Sequence, residues 1–255
     1  MASRNQLTDR YRRLMGQVAE AAERSGRTAA DIITVAVTKS AGPDQIRQLI
    51  DLGHQDMGES RVQQLQQRVA MAQEFLSRHQ IMTPSRPAEV PEKVRWHMVG
   101  HLQRNKVKAA LPLVRLVHSV DSLRLAEEIQ AHAAKDDADV ELLLQVNVAQ
   151  EGAKQGLALP AVAHVADQIL TMMHLKLRGL MTIAPMADDP EEVRPHFQRL
   201  QELFLELQTT GRYGRDFNLL SMGMSNDFEV AIECGANVLR VGRALFGEPV
   251  TATPA

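Results

Sequence analysis

Eight short apolar runs alternate with helix-patterned stretches between residues 32 and 242, and that rhythm leaves very few architectures open. The runs lie at about 32–38, 55–59, 95–100, 114–119, 140–148, 177–184, 218–223 and 238–242. Between them, residues 44–52, 61–79, 103–111, 122–135, 159–173, 190–209 and 227–234 carry helical patterns. Eight strands linked through helices match the arithmetic of a closed, parallel (β/α)8 TIM barrel. The runs 140–148 and 177–184 are apolar on both faces, as strands buried between a barrel interior and its helices are. A doubly wound open sheet is the competing α/β arrangement. Leu7, Tyr11, Leu14, Met15 and Val18 recur at helical spacing before Gly26, which predicts an extra N-terminal helix. That helix is placed to cover the gap after the eighth run, where no helical pattern follows. A length of 255 residues is ordinary for one such barrel, so a single domain over 1–255 is expected. The rhythm breaks at 80–94, where Pro84, Pro87 and Pro91 predict a long surface loop.

Charge is nearly balanced, 29 basic against 31 acidic residues, which argues against nucleic acid or a membrane surface as a partner. One cysteine, Cys234, excludes an internal disulfide and a cysteine metal cluster. His54, His97, His101 and His118 fall in different units with no metal-ligand spacing. The N-terminus has no apolar leader, and no stretch approaches about 18 uninterrupted apolar residues. The chain reads as cytoplasmic.

Functional groups in such a barrel come from the C-terminal ends of strands and the loops beyond them. Lys39 closes the run Ile32–Thr38 ahead of Gly42-Pro43, so a long cationic side chain is expected at the last position of the first strand. At an apolar strand end an amine can be held neutral and nucleophilic, able to form a Schiff base with an aldehyde. A snorkelling surface lysine is the plainer alternative. After the seventh run come Ser221-Met222-Gly223-Met224-Ser225-Asn226-Asp227, and the eighth run leads into Gly242-Arg243-Ala244. Small residues there let backbone amides approach an anion, where barrels commonly hold a phosphate. Ser225 and Gly242 therefore form a candidate phosphate site, against the alternative that Ser225 or Asn226 caps a helix starting near Asp227. Arg240 lies inside an apolar strand and must meet an acidic side chain or an acceptor on a ligand. The first, seventh and eighth strands adjoin in a closed barrel, so these groups converge at one rim. An amine, a phosphate cradle and a guanidinium suit pyridoxal 5′-phosphate (PLP), although a Schiff-base aldolase shares the first two. Among other candidates, His97 reads as a hydrogen-bonded core histidine, Asp121 as the N-cap of the next helix and Cys234 as a packing residue. Arg104, Lys106 and Lys108 read as a solvated basic helix face.

Five blocks carry a resemblance that extends from about residue 7 to 247. They are Ala36-Val37-Thr38-Lys39, Gly58-Glu59-Ser60-Arg61-Val62-Gln63, Trp96-His97-Met98-Val99-Gly100-His101-Leu102-Gln103-Arg104-Asn105-Lys106, Leu219-Leu220-Ser221-Met222-Gly223-Met224-Ser225 and Arg240-Val241-Gly242-Arg243-Ala244-Leu245-Phe246-Gly247. In this order they resemble the pyridoxal phosphate homeostasis protein family, which is similar to the N-terminal barrel of alanine racemase, the type III PLP fold. The resemblance implies that Lys39 holds PLP covalently as a Schiff base. It implies that Ser221, Met224, Ser225, Gly242 and Arg243 surround the phosphate, partly through backbone amides, and that Arg240 faces the pyridine nitrogen and keeps it unprotonated. Two positions depart from the family. Ser60 stands where Asn is usual, and Arg243 where Ser or Thr is frequent, so the cofactor contacts of both differ from the family pattern.

A racemase needs a second base opposite Lys39, because a proton is exchanged on both faces of the substrate α-carbon. In alanine racemases that base is a tyrosine from an additional β-domain. The two tyrosines here are Tyr11, in the N-terminal helix, and Tyr213, in the loop before the seventh run, away from the rim of Lys39. The resemblance implies a monomeric, non-enzymatic protein that buffers PLP and delivers it to PLP-dependent apo-enzymes. An amino-acid racemase-like PLP enzyme is the alternative.

Overall fold

A computed structural model describes residues 2–82, 90–149 and 155–247. Its first unit shows how the chain builds. The β-branched run becomes β1 (Ile33–Val37), and Pro43 opens α2 (Pro43–Asp51), where its missing N–H has no helical partner to lose. The Gln45 side chain accepts from the Gly42 amide at 2.8 Å and closes the entry to that helix. The pattern continues through β2 (Asp56–Glu59), α3 (Val62–Met82), β3 (Arg95–Met98), α4 (Val107–Ala110), β4 (Leu116–Val120), α5 (Leu123–Lys135) and β5 (Val140–Asn147). It ends with β6 (Leu157–Ala158), α6 (Val162–Leu170), β7 (Leu175–Met181), α7 (Arg194–Thr209), β8 (Leu219–Ser221), α8 (Phe228–Glu233), β9 (Val238–Val241) and α9 (Arg243–Phe246).

Every strand pairing is parallel, and the ring closes where Ile33 of β1 lies opposite Val238 of β9 and Leu116 of β4 opposite Glu141 of β5. The architecture is the (β/α)8 barrel, not the open sheet. The seventh and eighth expected strands are β8 and β9, because the two-residue β6 is an extra strand on the C-terminal end of β5.

The extra helix α1 (Ala2–Arg24) packs on α8 and α9, and Arg24 bridges Glu229 and Glu233 at 2.9 Å each. Two details differ from the sequence reading. The eighth unit does carry a helix, the single turn α9. The helix expected at 103–111 is broken into α4 flanked by 3₁₀ turns, Arg104–Lys106 and Leu111–Leu113, the second containing Pro112, whose ring cannot continue an α-helix. Of the expected loop at 80–94, residues 80–82 complete α3, and 83–89 lie outside the described residues.

The main core fills the layer between strands and helices. Inside the barrel sit two small apolar groups: Val35, Val37, Val99 and Val238 on one side, Leu116, Leu143 and Met181 on the other. The space between them is polar.

Candidate functional site

Strand register assembles the C-terminal rim. Val35 lies opposite Arg240 and Ala36 opposite Val241, while Val37 lies opposite Gly58. Lys39 is therefore flanked by the Gly242 turn on one side and by Glu59-Ser60 on the other. It is not the last strand residue. β1 ends at Val37, Thr38 still donates to Gly58 at 2.9 Å, and a bond from Ala41 N to Thr38 O at 2.8 Å closes a turn around Lys39 and Ser40. Both are exposed, so apolar burial is not what distinguishes this lysine; its position is. Among the described residues no carboxylate pairs with it. Beneath the turn, buried Glu59 accepts from Thr38 Oγ1 at 2.5 Å and from Arg68 at 2.6 Å, tying the ends of β1 and β2 to α3. Burial holds Glu59 above the usual carboxylate range despite these partners.

The loops after β8 and β9 are joined by one hydroxyl. Gly223 turns the chain at φ +93°, and a Cβ there would lie 2.6 Å from the Ala231 methyl. Its carbonyl accepts from Arg240 N at 3.0 Å, and Asp227 Oδ1 accepts from Met224 N at 2.5 Å. Ser225 Oγ then reaches across to accept from Gly242 N at 3.3 Å and Ala244 N at 3.1 Å. Neither Ser225 nor Asn226 is the cap of α8, which begins after Asp227. Two amides thus converge on one oxygen, the geometry that a phosphate oxygen would meet. Met224 is half-buried beside them, and Arg243 is exposed at the first position of α9.

Just inside the barrel, Arg240 is 5% exposed. Its Nη1 donates to Ser221 Oγ at 2.6 Å and its Nη2 to the Thr182 carbonyl at 2.7 Å. Burial lowers the guanidinium to about 10, with Asp227 opposing the shift. Its hydrogen-bond partners are neutral acceptors, so the charge stays available to a ligand. The Ser221 hydroxyl is turned to Arg240 and His118, below the rim, rather than to the phosphate loops.

From Ser221 the polar contacts continue down the barrel. His118 Nδ1 lies 3.0 Å from Ser221 Oγ, His118 Nε2 lies 2.9 Å from His97 Nδ1, and His97 Nε2 lies 3.0 Å from Asp56 Oδ1. Arg95 clamps Asp56 with bonds of 2.9 and 2.5 Å. Burial alone would raise the Asp56 carboxyl, but hydrogen bonds from His97 and Arg95 outweigh it and hold the group below its usual range. Burial, then His97 and Arg240, presses His118 well below an ordinary histidine. His97 is the hydrogen-bonded core histidine expected, but its meeting with His118 was not anticipated. The available signal was parity: His97 lies opposite Leu116, so His118, two residues on, shares the interior face of the next strand.

The remaining candidates separate from this centre. Ser60 is half-buried where the loops after β2 and β3 touch; a Cβ on Gly100 would come within 2.5 Å of the Ser60 carbonyl. It borders a cavity of about 290 Å³ with Gln63, His101 and Lys106. Asp121 is not a cap: Ser122 Oγ accepts from Leu125 N at 3.4 Å, and Asp121 faces His101 at 3.2 Å. Tyr213 donates to Asp167 at 2.8 Å, and Tyr11 stands edge-on to His54, so neither reaches the rim. Among the described residues no helix is long and apolar enough to cross a membrane.

The same fold recurs among known proteins. Residues 15–249 match the family described as alanine racemase, N-terminal domain. A protein of Aquifex aeolicus (strain VF5) named pyridoxal phosphate homeostasis protein is 37% identical over 244 residues, covering 94% of this chain and 97% of that one. Among solved structures, an unknown protein from Bifidobacterium adolescentis is similar with a TM-score of 0.83 at 32% identity, over 96% of each chain. PipY of Synechococcus elongatus PCC7942, with PLP bound, is similar with a TM-score of 0.71 at 29% identity, over 90% of this chain and 100% of that one.

Proposed function

Since the chain belongs to the pyridoxal phosphate homeostasis protein family, on the alanine racemase N-terminal domain fold, we propose that it binds PLP at the C-terminal rim and buffers it without turnover. One observation carries the reading: the Gly242 and Ala244 amides converge on a single oxygen, next to a buried arginine whose hydrogen-bond partners are all neutral. PLP presents a phosphate, an aldehyde and an acceptor nitrogen, and the donors at the rim match all three. When bound, the cofactor supplies an electrophilic carbonyl.

The chain's own residues divide the work. The Lys39 amine is the group that bonds to the aldehyde carbon, with loss of water. The amides of Gly242 and Ala244 hold the phosphate, with Ser225, Met224 and the exposed Arg243 around it. Arg240 only donates, so it keeps the ring nitrogen unprotonated and weakens the electron sink that amino-acid chemistry needs. Ser60 borders the site from the loop after β2, with a shorter reach than an asparagine.

The exposure of Lys39 supports release as well as capture, because an amine open to solvent gives the cofactor a way in and out. On this reading the protein is a cytoplasmic monomer that passes PLP to PLP-dependent apo-enzymes. The racemase alternative has no tyrosine to act as the opposing base, since Tyr11 and Tyr213 are engaged elsewhere.

Borohydride reduction of the PLP-loaded protein, followed by peptide mass analysis, tests the assignment. The expected result is a reduced adduct on Lys39 in the wild type, none in Lys39→Ala, and no racemisation of alanine or serine above the blank. An unlabelled wild type, or equal labelling of the variant, overturns it.

A further inference from the structure

The polar contacts that run from Asp56 through His97, His118 and Ser221 to Arg240 take a single direction when each imidazole carries one proton. Asp56, paired with Arg95, only accepts, so His97 donates to it from Nε2. With one proton on each ring, His97 then accepts at Nδ1, which makes His118 the donor from Nε2 and an acceptor at Nδ1. The Ser221 hydroxyl must therefore donate to His118, leaving only its lone pairs toward Arg240, which can only donate. In the opposite order Ser221 Oγ would accept from both His118 and Arg240, and its own proton would have no acceptor in the string. The string runs between the two apolar groups of the barrel interior; His118 and Ser221 are fully buried, while the Asp56 and His97 end borders a basal cavity of about 320 Å³.

We propose that Asp56, at the N-terminal end of the barrel, sets this order, and that His97 and His118 are positioning residues that carry it to Ser221 and so fix Arg240 at the ring-nitrogen side of the cofactor site. The inference rests on the PLP reading above for its destination, but not for the proton order itself. Arg240 is pinned at both terminal nitrogens, by Ser221 and by the Thr182 carbonyl. Thr182 contributes a backbone oxygen that cannot rotate. Ser221 contributes a hydroxyl that can, and Asp56 removes that freedom through two imidazoles. A string that merely satisfied buried polar groups would lower stability when broken. It would not predict a tautomer, nor an effect on the cofactor's spectrum from a residue at the other end of the barrel.

Two-bond ¹H–¹⁵N correlation spectra of apo protein labelled in histidine read the order directly. At neutral pH, His97 and His118 are expected to be neutral Nε2–H tautomers. In Asp56→Asn one of the two acceptor positions that face Arg95 and His97 becomes a donor, so His97 loses its fixed acceptor and both histidines are expected to leave the uniform Nε2–H state, although His118 does not touch position 56. The same variant is expected to bind PLP about tenfold more weakly, the weight of one hydrogen bond to a charged group. The absorption maximum of bound PLP should shift, and borohydride labelling of Lys39 should persist at saturation. Glu141→Gln serves as the control, because Glu141 sits in the same basal mouth but pairs with Arg178 and Arg115. It should leave tautomers, affinity and spectrum unchanged. Should Asp56→Asn fail to fold, Ser221→Ala breaks the string at its other end, and there the histidines should keep Nε2–H while the spectrum shifts. A doubly protonated or Nδ1–H His118 in the wild type, an unmoved His118 in Asp56→Asn, or a wild-type spectrum in Ser221→Ala overturns the inference. A wild type that binds no PLP overturns the cofactor reading instead and leaves the tautomer result to stand or fall alone.

Discussion

The two ends of the barrel treat charge in opposite ways. At the N-terminal end Asp56 is clamped by Arg95, while Glu141 pairs with Arg178 and, at 3.5 Å, with Arg115. Arg178 also donates to the Asp216 carbonyl at 2.8 Å. Those charges satisfy one another. At the C-terminal end Lys39 pairs with no carboxylate among the described residues, Arg240 meets neutral acceptors, and two amides share one serine hydroxyl. The two amides there have a partner that a ligand oxygen can replace, and Lys39 and Arg240 are bonded to no opposing charge among the described residues. The difference follows from the parallel barrel, whose strand carboxyl ends carry the functional loops while the other end closes the fold.

Substitutions at the two ends should therefore separate binding from stability. The largest binding effect is expected from Lys39→Ala, with complete loss of borohydride-stable PLP. Because Lys39 is exposed, unfolding free energy should move by no more than about 0.5 kcal/mol, as checked by urea titration. Glu141→Ala should do the reverse. The pair it breaks is partly screened, with side-chain exposures of 28% for Glu141 and 15% for Arg178. A loss of about 1–3 kcal/mol is expected, between the surface and buried cases, with PLP affinity within about twofold of wild type. If PLP binding fell in step with stability in this variant, the two ends would not be the separate devices described.

The contrast between the ends also marks what the sequence could reveal. The fold was legible because eight strand-like runs alternate with seven helical stretches, and because closure of such a barrel puts the first and last strands side by side. The rim was legible as a place for the same reason: Lys39, Ser225, Arg240 and Gly242 needed only strand ends and closure to converge. What failed was local. Lys39 reads as a strand residue because Thr38 extends the β-branched run, yet the pairing of Thr38 with Gly58 is the last rung before the turn. Asp121 reads as a cap, but the adjacent Ser122 takes that role and frees the carboxylate to face His101. The Asp56–His97–His118 string needs strand register to a single residue, and a one-residue slip would send His118 to the opposite face. Composition and spacing carry no such information.

An intermediate effect is expected from Ser225→Ala. In the unliganded protein the change leaves the Gly242 and Ala244 amides without their acceptor, a loss comparable to a helix cap, about 1 kcal/mol. A phosphate oxygen would take over those amides, so the deficit in thermal stability should narrow when PLP is added. A deficit that stays constant on PLP addition would mean that the ligand does not use these amides, and the picture of replaceable partners at the rim would lose its best example.

The smallest effect tests whether the interior string insulates one end from the other. His118 and His54 are both held below the ordinary histidine value, in each case chiefly by burial. The unfolded chain takes up protons at these positions near pH 6.5, while the folded protein resists them. Stability is therefore fully present above about pH 6.5 and is lost as pH falls below it, by at most about 1.4 kcal/mol per pH unit for each histidine. Asp56 contributes with the same sign only at lower pH, below its usual value of 3.8, because its folded carboxyl is held down. Urea titrations at pH 7, 6 and 5 should show the wild type losing stability as the pH falls, with Glu59, whose folded carboxyl is held up, opposing the loss at the acid end. His118→Gln should retain only the share of His54, which lies beside the basal mouth and bonds the Asp56 carbonyl at 2.9 Å. Equal slopes would mean that a proton reaches His118 in the folded state at little cost. The string would then be open to solvent, and Arg240 could not be held by an order set at the far end.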